Sequence, residues 1–108
     1  MRARVRHRPG VMNKTEADYA LVLEARKRSG EIVGYWFEGQ TMKLAHDTRY
    51  TPDFLVQYAD GTMELHEVKG GFFRDDAKVK AKVCAALYPY PVKVVKRNGK
   101  GWTTEEVA

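Results

Sequence analysis

The spacing of hydrophobic and polar positions first predicts a helix near the start of the chain. Asn13-Lys14-Thr15-Glu16 has the N-x-x-E form of a helix N-terminus, and good helix formers continue to Ser29 before Gly30 ends the helix. Glu16 shares one face of this helix with Tyr19, Ala20 and Leu23. The apolar stripe of the helix therefore begins with a carboxylate that needs an explanation.

Short apolar runs after this helix predict strands at residues 33–37, 44–45, 54–58 and 63–68, and a polar turn at 45–48 leads into Thr48-Arg49-Tyr50. The Asp60-Gly61 turn between the last two runs is a strong β-hairpin signal. The sheet is therefore expected to be centred on this hairpin.

A second helix is predicted to open at Asp75-Asp76 and to end before Pro89. Its apolar residues at i, i+4 and i+8 predict the face that packs on the sheet: Val79, Val83 and Leu87. Strands are expected at 92–95 and, after a turn at Asn98-Gly99, at 102–104. The order α-β-β-β-β-α-β predicts an α/β fold, a mixed β-sheet flanked by α-helices.

Size and composition predict one globular domain, residues 13–108, preceded by a basic arm at residues 1–12. The 108 residues are 44% hydrophobic and 31% charged, which is typical of a soluble domain with one core. The single cysteine, Cys84, excludes an internal disulfide and a multi-cysteine zinc site, and its neighbours predict a core position. No apolar run suits a membrane span or a secretory signal, so we expect a cytoplasmic protein without a membrane partner.

Charge is unevenly distributed along the chain. The net charge of +5 divides into +5 over residues 1–30, −4 over 31–69 and +4 over 70–108. Basic surfaces attract phosphate backbones, whereas clustered carboxylates repel them unless a cation lies between. This conflict between an acidic centre and basic flanks is the first indication of function.

The acidic centre contains one constellation that could bind such an ion. Asp53 begins one strand of the predicted hairpin, and Glu67 and Lys69 lie near the end of the other. Residues two apart on a strand point to the same side, so two carboxylates and an ammonium converge at the sheet end. Carboxylates with a backbone carbonyl and waters suit Mg²⁺, with Mn²⁺ as a substitute.

These residues resemble the signature of the PD-(D/E)XK nuclease superfamily. Tyr50-Thr51-Pro52-Asp53-Phe54 is followed, after the Asp-Gly turn, by His66-Glu67-Val68-Lys69-Gly70. Upstream, the segment around Glu16 resembles the helix-one glutamate motif. Gln40 resembles a polar position of transposon-end endonucleases and small phage nucleases. The resemblance covers residues 13–96.

The resemblance implies a restriction-endonuclease-like core that cleaves phosphodiester bonds with Mg²⁺. By position, Asp53, Glu67, Glu16 and the Val68 carbonyl would hold the metal, and Lys69 would assist the nucleophile. Asp53, Glu67, Lys69 and Glu16 are thus the implied catalytic residues. The nearest likeness is to phage-encoded endonucleases of the Holliday-junction-resolvase type. It implies branched DNA as substrate, a homodimer, and the host-cell cytoplasm.

Basic residues outside this constellation are the candidates for DNA contacts. They are Lys78 and Lys82 on the second helix, Arg74 before it, and Arg4 and Arg6 in the N-terminal arm. A solvated helix face or a loose terminus explains the same residues without DNA.

Several alternatives remain open at this stage. Glu67 and Lys69 could be an ordinary exposed pair, and Glu16 could serve only as a helix cap. His46 and His66 are expected at the surface. A non-catalytic DNA-binding or assembly module is the alternative function, and an RNA-directed or repair nuclease would use the same site.

Overall fold

The computed structural model describes residues 10–70 and 75–107. Of the predicted DNA contacts, Arg4, Arg6 and Arg74 lie outside these residues. The elements are α1 (Lys14–Arg28), β1 (Ile32–Phe37), β2 (Met42–Ala45), β3 (Thr48–Tyr50), β4 (Phe54–Tyr58), β5 (Met63–Lys69), α2 (Asp75–Leu87), β6 (Val92–Asn98) and β7 (Gly101–Val107). Within this part of the chain, no helix has the length and apolar character needed to cross a membrane.

The first helix begins and ends where the sequence predicts. The Asn13 side chain accepts a hydrogen bond from the Glu16 N–H, and the Glu16 carboxylate accepts one from the Asn13 N–H, both at 2.8 Å. This reciprocal capping box satisfies two amide donors at the helix N-terminus. At the other end, Gly30 has φ +85°, a conformation that glycine adopts without strain.

The sheet confirms the predicted α/β class. Five strands lie in the order β1-β4-β5-β6-β7, with β5 and β6 parallel and the other neighbours antiparallel. The β2–β3 hairpin forms a separate small sheet. The predicted order has four strands before the second helix and one after it. The structure has five and two, because the β2–β3 hairpin provides two strands and the segment around Trp102 forms a full edge strand.

Each face of the five-stranded sheet carries its own core. The first core lies between the sheet and α1 and contains Tyr19, Leu23, Ile32, Phe54, Val56 and Val95. The second lies between the sheet, α2 and the β2–β3 hairpin and contains Met42, Tyr50, Leu65, Ala81, Cys84 and Val92. Alternate residues of β4 and β5 therefore face different cores, as strand geometry requires. The predicted core position of Cys84 is confirmed.

The prediction for the packed face of α2 is wrong. Val79 and Leu87 are more than half exposed, at 58% and 56%, and Val83 is 37% exposed. Ala81 and Cys84 are fully buried instead. Small side chains let the helix lie close to the sheet and the β2–β3 hairpin. The larger valine and leucine side chains share a stripe of similar periodicity on the other side, so periodicity alone could not choose between them.

The prediction that His66 lies at the surface is also wrong. Its ring is 1% exposed and bridges α1 and the sheet: Nδ1 lies 2.8 Å from the Tyr19 hydroxyl, and Nε2 lies 2.9 Å from a Glu64 oxygen. Lys93 forms a 2.7 Å ion pair with the same Glu64. Burial lowers the pKa of His66, so the neutral ring accepts from Tyr19 and donates to Glu64.

Candidate metal centre and cleft

Asp53 and Glu67 lie opposite each other at one end of the sheet. The last pair between β4 and β5 is Phe54 with His66, so one further step in this register brings Asp53 opposite Glu67. Asp53 is only 8% exposed, and its Oδ2 accepts a 2.7 Å hydrogen bond from the Val68 N–H. The predicted convergence of these two carboxylates therefore follows from the hairpin register.

Pro52 helps to create this site by ending the β4–β5 ladder. The Val68 N–H points across to the Pro52-Asp53 segment, where the Asp53 side chain accepts it. The N–H and C=O of one strand residue point toward the same neighbour, so the Val68 carbonyl also faces this segment. Pro52 has no N–H to donate to that carbonyl. The Val68 carbonyl is thus directed to the neighbourhood of Asp53, as a third oxygen donor requires.

The two carboxylates resist ionisation where they lie. Burial raises the pKa of Asp53, and the charge of Glu67 raises it further. Burial also raises the pKa of Glu67, the nearby charge of Glu16 adds to this, and a hydrogen bond from Tyr50 opposes it. When no cation is bound, two negative charges on this pair repel each other. A bound cation would offset that repulsion.

Glu16 is a helix cap whose charge also affects the two carboxylates. Its Oε1 caps α1 by accepting from the Asn13 N–H, and its side chain is 5% exposed. Its charge nevertheless acts on both Asp53 and Glu67. The capping box therefore holds a third carboxylate beside the pair.

Lys69 ends β5, two residues after Glu67, and is half-buried. Strand alternation places its side chain on the same face as Glu67 and Leu65. The backbone therefore brings the three residues of the sequence hypothesis to the same sheet end, with Lys69 one strand step beyond Glu67 on the same face.

Tyr50 is a site residue that sequence analysis missed. Its hydroxyl donates a 2.6 Å hydrogen bond to Glu67 Oε1, and its ring is buried in the second core. The position precedes Thr51-Pro52-Asp53, but β3 reaches Glu67 only through the packing of the β2–β3 hairpin under the sheet. Because that contact is long-range, no local sequence pattern could have predicted it.

The carboxylates open into a cleft of about 640 Å³ between the sheet end, the β2–β3 hairpin and the start of α2. Two basic residues that were not predicted, Arg49 of β3 and Lys80 of α2, line it together with Asp53 and Glu67. The rest of the lining is Glu38, Thr41, Tyr50, Thr51, Asp76 and Ala77. Phosphate oxygens could therefore meet both negative and positive groups here.

The predicted basic residues of α2 lie elsewhere. Lys78 and Lys82 are exposed and do not line the cleft, whereas Lys80 does. Of these three lysines, only Lys80 lies on the side of the helix that faces the cleft, next to buried Ala81 and half-buried Ala77.

Gly10 and Glu38 form a contact at the rim of this cleft. Gly10, the first described residue, donates a 2.6 Å hydrogen bond from its N–H to Glu38 Oε1. Glu38 has a positive φ of 51°, and its own N–H donates to the Asp53 carbonyl at 2.7 Å. Gln40 lies farther along, beside a smaller apolar cavity of about 320 Å³, and its amide donates to the Thr41 carbonyl.

The donor set fits a small hard cation. Among residues 10–70 and 75–107, no three or more His, Cys, Asp or Glu side chains form a ready-made metal site. Mg²⁺ does not require such a cage, since one or two carboxylates with waters usually hold it. Asp53, Glu67 and the Val68 carbonyl provide this kind of donor set, at a place where negative charge is otherwise costly.

The comparisons with known proteins add no relative to this picture. No protein-family model, no curated protein and no solved structure matches the chain.

Tyr50→Phe is expected to weaken Mg²⁺ binding at Glu67. Without the hydroxyl, the Glu67 carboxylate loses the donor that orients it, so the Mg²⁺ affinity should fall about 10–100-fold. Higher Mg²⁺ should restore part of the lost occupancy. The rise in melting temperature across a Mg²⁺ titration measures the effect.

Tyr88→Phe is the matched control for this prediction. The Tyr88 hydroxyl donates a 2.6 Å hydrogen bond to the Lys43 carbonyl, away from the carboxylates, so its removal should leave the Mg²⁺ dependence unchanged. Equal Mg²⁺ dependence in Tyr50→Phe and wild type would contradict a positioning role for Tyr50.

Proposed function

We propose that this protein is a metal-dependent DNA endonuclease, a hydrolase that cleaves phosphodiester bonds with Mg²⁺ or, as a substitute, Mn²⁺. One observation carries the proposal: Asp53, which is buried, and Glu67, which is half-buried, face each other at a sheet end, with Lys69 on the same face and a cleft in front. Opposed buried carboxylates destabilise a fold, so their presence in a cleft favours a functional explanation.

Each residue has a defined task in this reaction. Asp53, Glu67 and the Val68 carbonyl would hold the ion, and Tyr50 orients Glu67. The bound ion supplies Lewis-acid stabilisation of charge on the phosphate and favours a nucleophilic water. The water oxygen forms a bond to phosphorus as the in-line P–O ester bond breaks, and the proton that the water loses is balanced by one that the leaving oxygen takes up. Lys69 orients that water or offsets the charge that develops on the phosphate.

The basic groups around the cleft support a nucleic-acid substrate. Arg49 and Lys80 line it together with the carboxylates, so a polyanion could approach despite the acidic centre. Lys78 and Lys82 on the outer side of α2 would extend this attraction along a longer DNA.

A substrate panel tests the proposal. We expect pure protein to cut DNA with Mg²⁺ or Mn²⁺ and to stop when a chelator removes the metal. The panel contains a four-way junction, linear duplex, nicked duplex and single strand, together with RNA of the same sequence at fixed salt. Preference for the junction would support the selectivity for branched DNA, and the homodimer, that the PD-(D/E)XK resemblance implies.

Two outcomes of the panel would favour the other functions. DNA binding without metal-dependent cleavage would point to a non-catalytic DNA-binding or assembly module. Cleavage of RNA in preference to DNA would assign the same centre to RNA.

A further inference from the structure

The hairpin formed by β6 and β7 extends past the candidate metal centre. β6 runs parallel to β5 in a register that pairs Lys96 with Lys69, where β5 ends. β6 continues to Asn98, and the chain turns back at Gly101, its antiparallel partner. The turn therefore lies at the sheet end that carries Glu67, and it extends about 7 Å beyond Lys69.

The basic residues of this hairpin lie at the end next to Lys69, and its acidic residues lie at the other end. The basic tip, residues 96–101, contains Lys96, Arg97 and Lys100, all exposed, and no acidic residue. The two acidic residues, Glu105 and Glu106, lie beside Val94 and Lys93 near the other end of the hairpin. Solubility alone favours interspersed charges. The basic tip is therefore a positively charged surface at the same sheet end as the cleft.

Of the three cations of the basic tip, Arg97 contacts α1 and an aromatic ring. The Arg97 guanidinium lies 3.6 Å from an Asp18 oxygen and 4.8 Å from the centre of the Trp102 ring. It anchors the hairpin to α1 and the first core. Lys96 and Lys100 project from a hairpin that this anchor holds in place.

Lys96 also stands beside the lysine of the candidate site. Leu65 and Val92 are paired in the same β5–β6 register and both enter the second core, so the paired Lys69 and Lys96 share that face of the sheet. Two basic side chains thus lie on one face at this sheet end, and a DNA strand offers one phosphate per 3.4 Å of duplex axis.

We propose that the basic tip binds the DNA backbone next to the phosphate that is cut, with Lys96 and Lys100 as the contacting residues. This inference rests on the proposed DNA endonuclease function and deepens it by assigning the strand-holding surface. The hairpin turn fits this use: Gly99 has φ +59°, which a two-residue turn requires, so Lys100 lies at the very end of a rigid ribbon.

The test removes the two charges while keeping both side chains polar and unbranched to Cδ. In the Lys96→Gln/Lys100→Gln variant, duplex DNA binding without metal should weaken about tenfold or more. The slope of log Kd against log salt should fall by about two, since each lost phosphate contact lowers it by about 0.9. Lys27→Gln/Arg28→Gln removes the same charge at the far end of α1 and should leave both quantities near the wild-type values.

Binding and cleavage together separate this proposal from the proposed function. Wild-type cleavage with unchanged Kd and salt slope in the hairpin variant would overturn the role of the basic tip alone. Weakened binding by the hairpin variant, with no cleavage by wild type under any metal, would support the tip and overturn the nuclease. Absence of DNA binding by wild type would overturn the role of the tip. Thermal melting identifies a folding defect, and Lys100→Gln alone, in the turn, then gives the deciding comparison.

Discussion

Asp53→Asn and Lys69→Ala are each expected to abolish most metal-dependent cleavage while leaving the fold intact. Asparagine keeps an oxygen that can accept the Val68 N–H but removes the charge that would hold the ion, so the rate should fall about 10³-fold or more. Loss of the Lys69 ammonium should cost about 10²–10³-fold, the range for a group that stabilises transition-state charge. Single-turnover cleavage at saturating DNA and Mg²⁺ measures both.

Matched controls distinguish this result from a general loss of charge. Asp47→Asn changes a carboxylate in an exposed turn, and Lys27→Ala removes an exposed ammonium of α1, so both should cleave as wild type does. Full activity in both Asp53→Asn and Lys69→Ala would leave the candidate centre without a catalytic role.

The central hairpin could be predicted because local chemistry decides its geometry. An Asp-Gly turn fixes the register of β4 against β5, and strand alternation then places Asp53 and Glu67 opposite each other. The capping box of α1 is equally local, since Asn13 and Glu16 satisfy each other within one helical turn. In both cases, the residues that determine the geometry are close together in the sequence.

What sequence analysis missed depends on packing between distant segments. Tyr50 meets Glu67 only because the β2–β3 hairpin lies under the sheet beside α2. His66 is buried because a tyrosine from α1 and a glutamate from its own strand satisfy both ring nitrogens. The face of α2 follows the same rule, since close approach to the sheet selects Ala81 and Cys84 over larger side chains. Sequence periodicity identifies the apolar faces of a helix, but the surface against which the helix packs determines which of those faces is buried.

The centre also makes a prediction about stability, because its carboxylates are held where burial opposes their charge. The pKa values of Asp53 and Glu67 are raised in the folded state above the values near 4 of an unfolded chain. The folded state therefore binds more protons, and this contribution to stability, full below about pH 4, is lost as pH rises through the folded-state pKa values. Without metal, the pair should thus weaken the fold at pH 8 relative to pH 5.

Asp53→Asn should relieve this penalty and stabilise the metal-free protein at pH 8 by roughly 1–2 kcal/mol, or about 4–16 °C in Tm for a domain of this size. The gain should shrink toward pH 5, where wild type takes up protons instead. Mg²⁺ should stabilise wild type by about 2.7 kcal/mol at 100 times its Kd, more at high pH, and should leave the Asn variant nearly unchanged. Thermal melting at pH 5, 6.5 and 8, with chelator and with Mg²⁺ or Mn²⁺, measures all three effects, and Asp47→Asn should follow wild type throughout. Equal melting of Asp53→Asn and wild type in chelator at pH 8, together with no response of wild type to either cation, would mean that the opposed carboxylates neither strain the fold nor bind an ion.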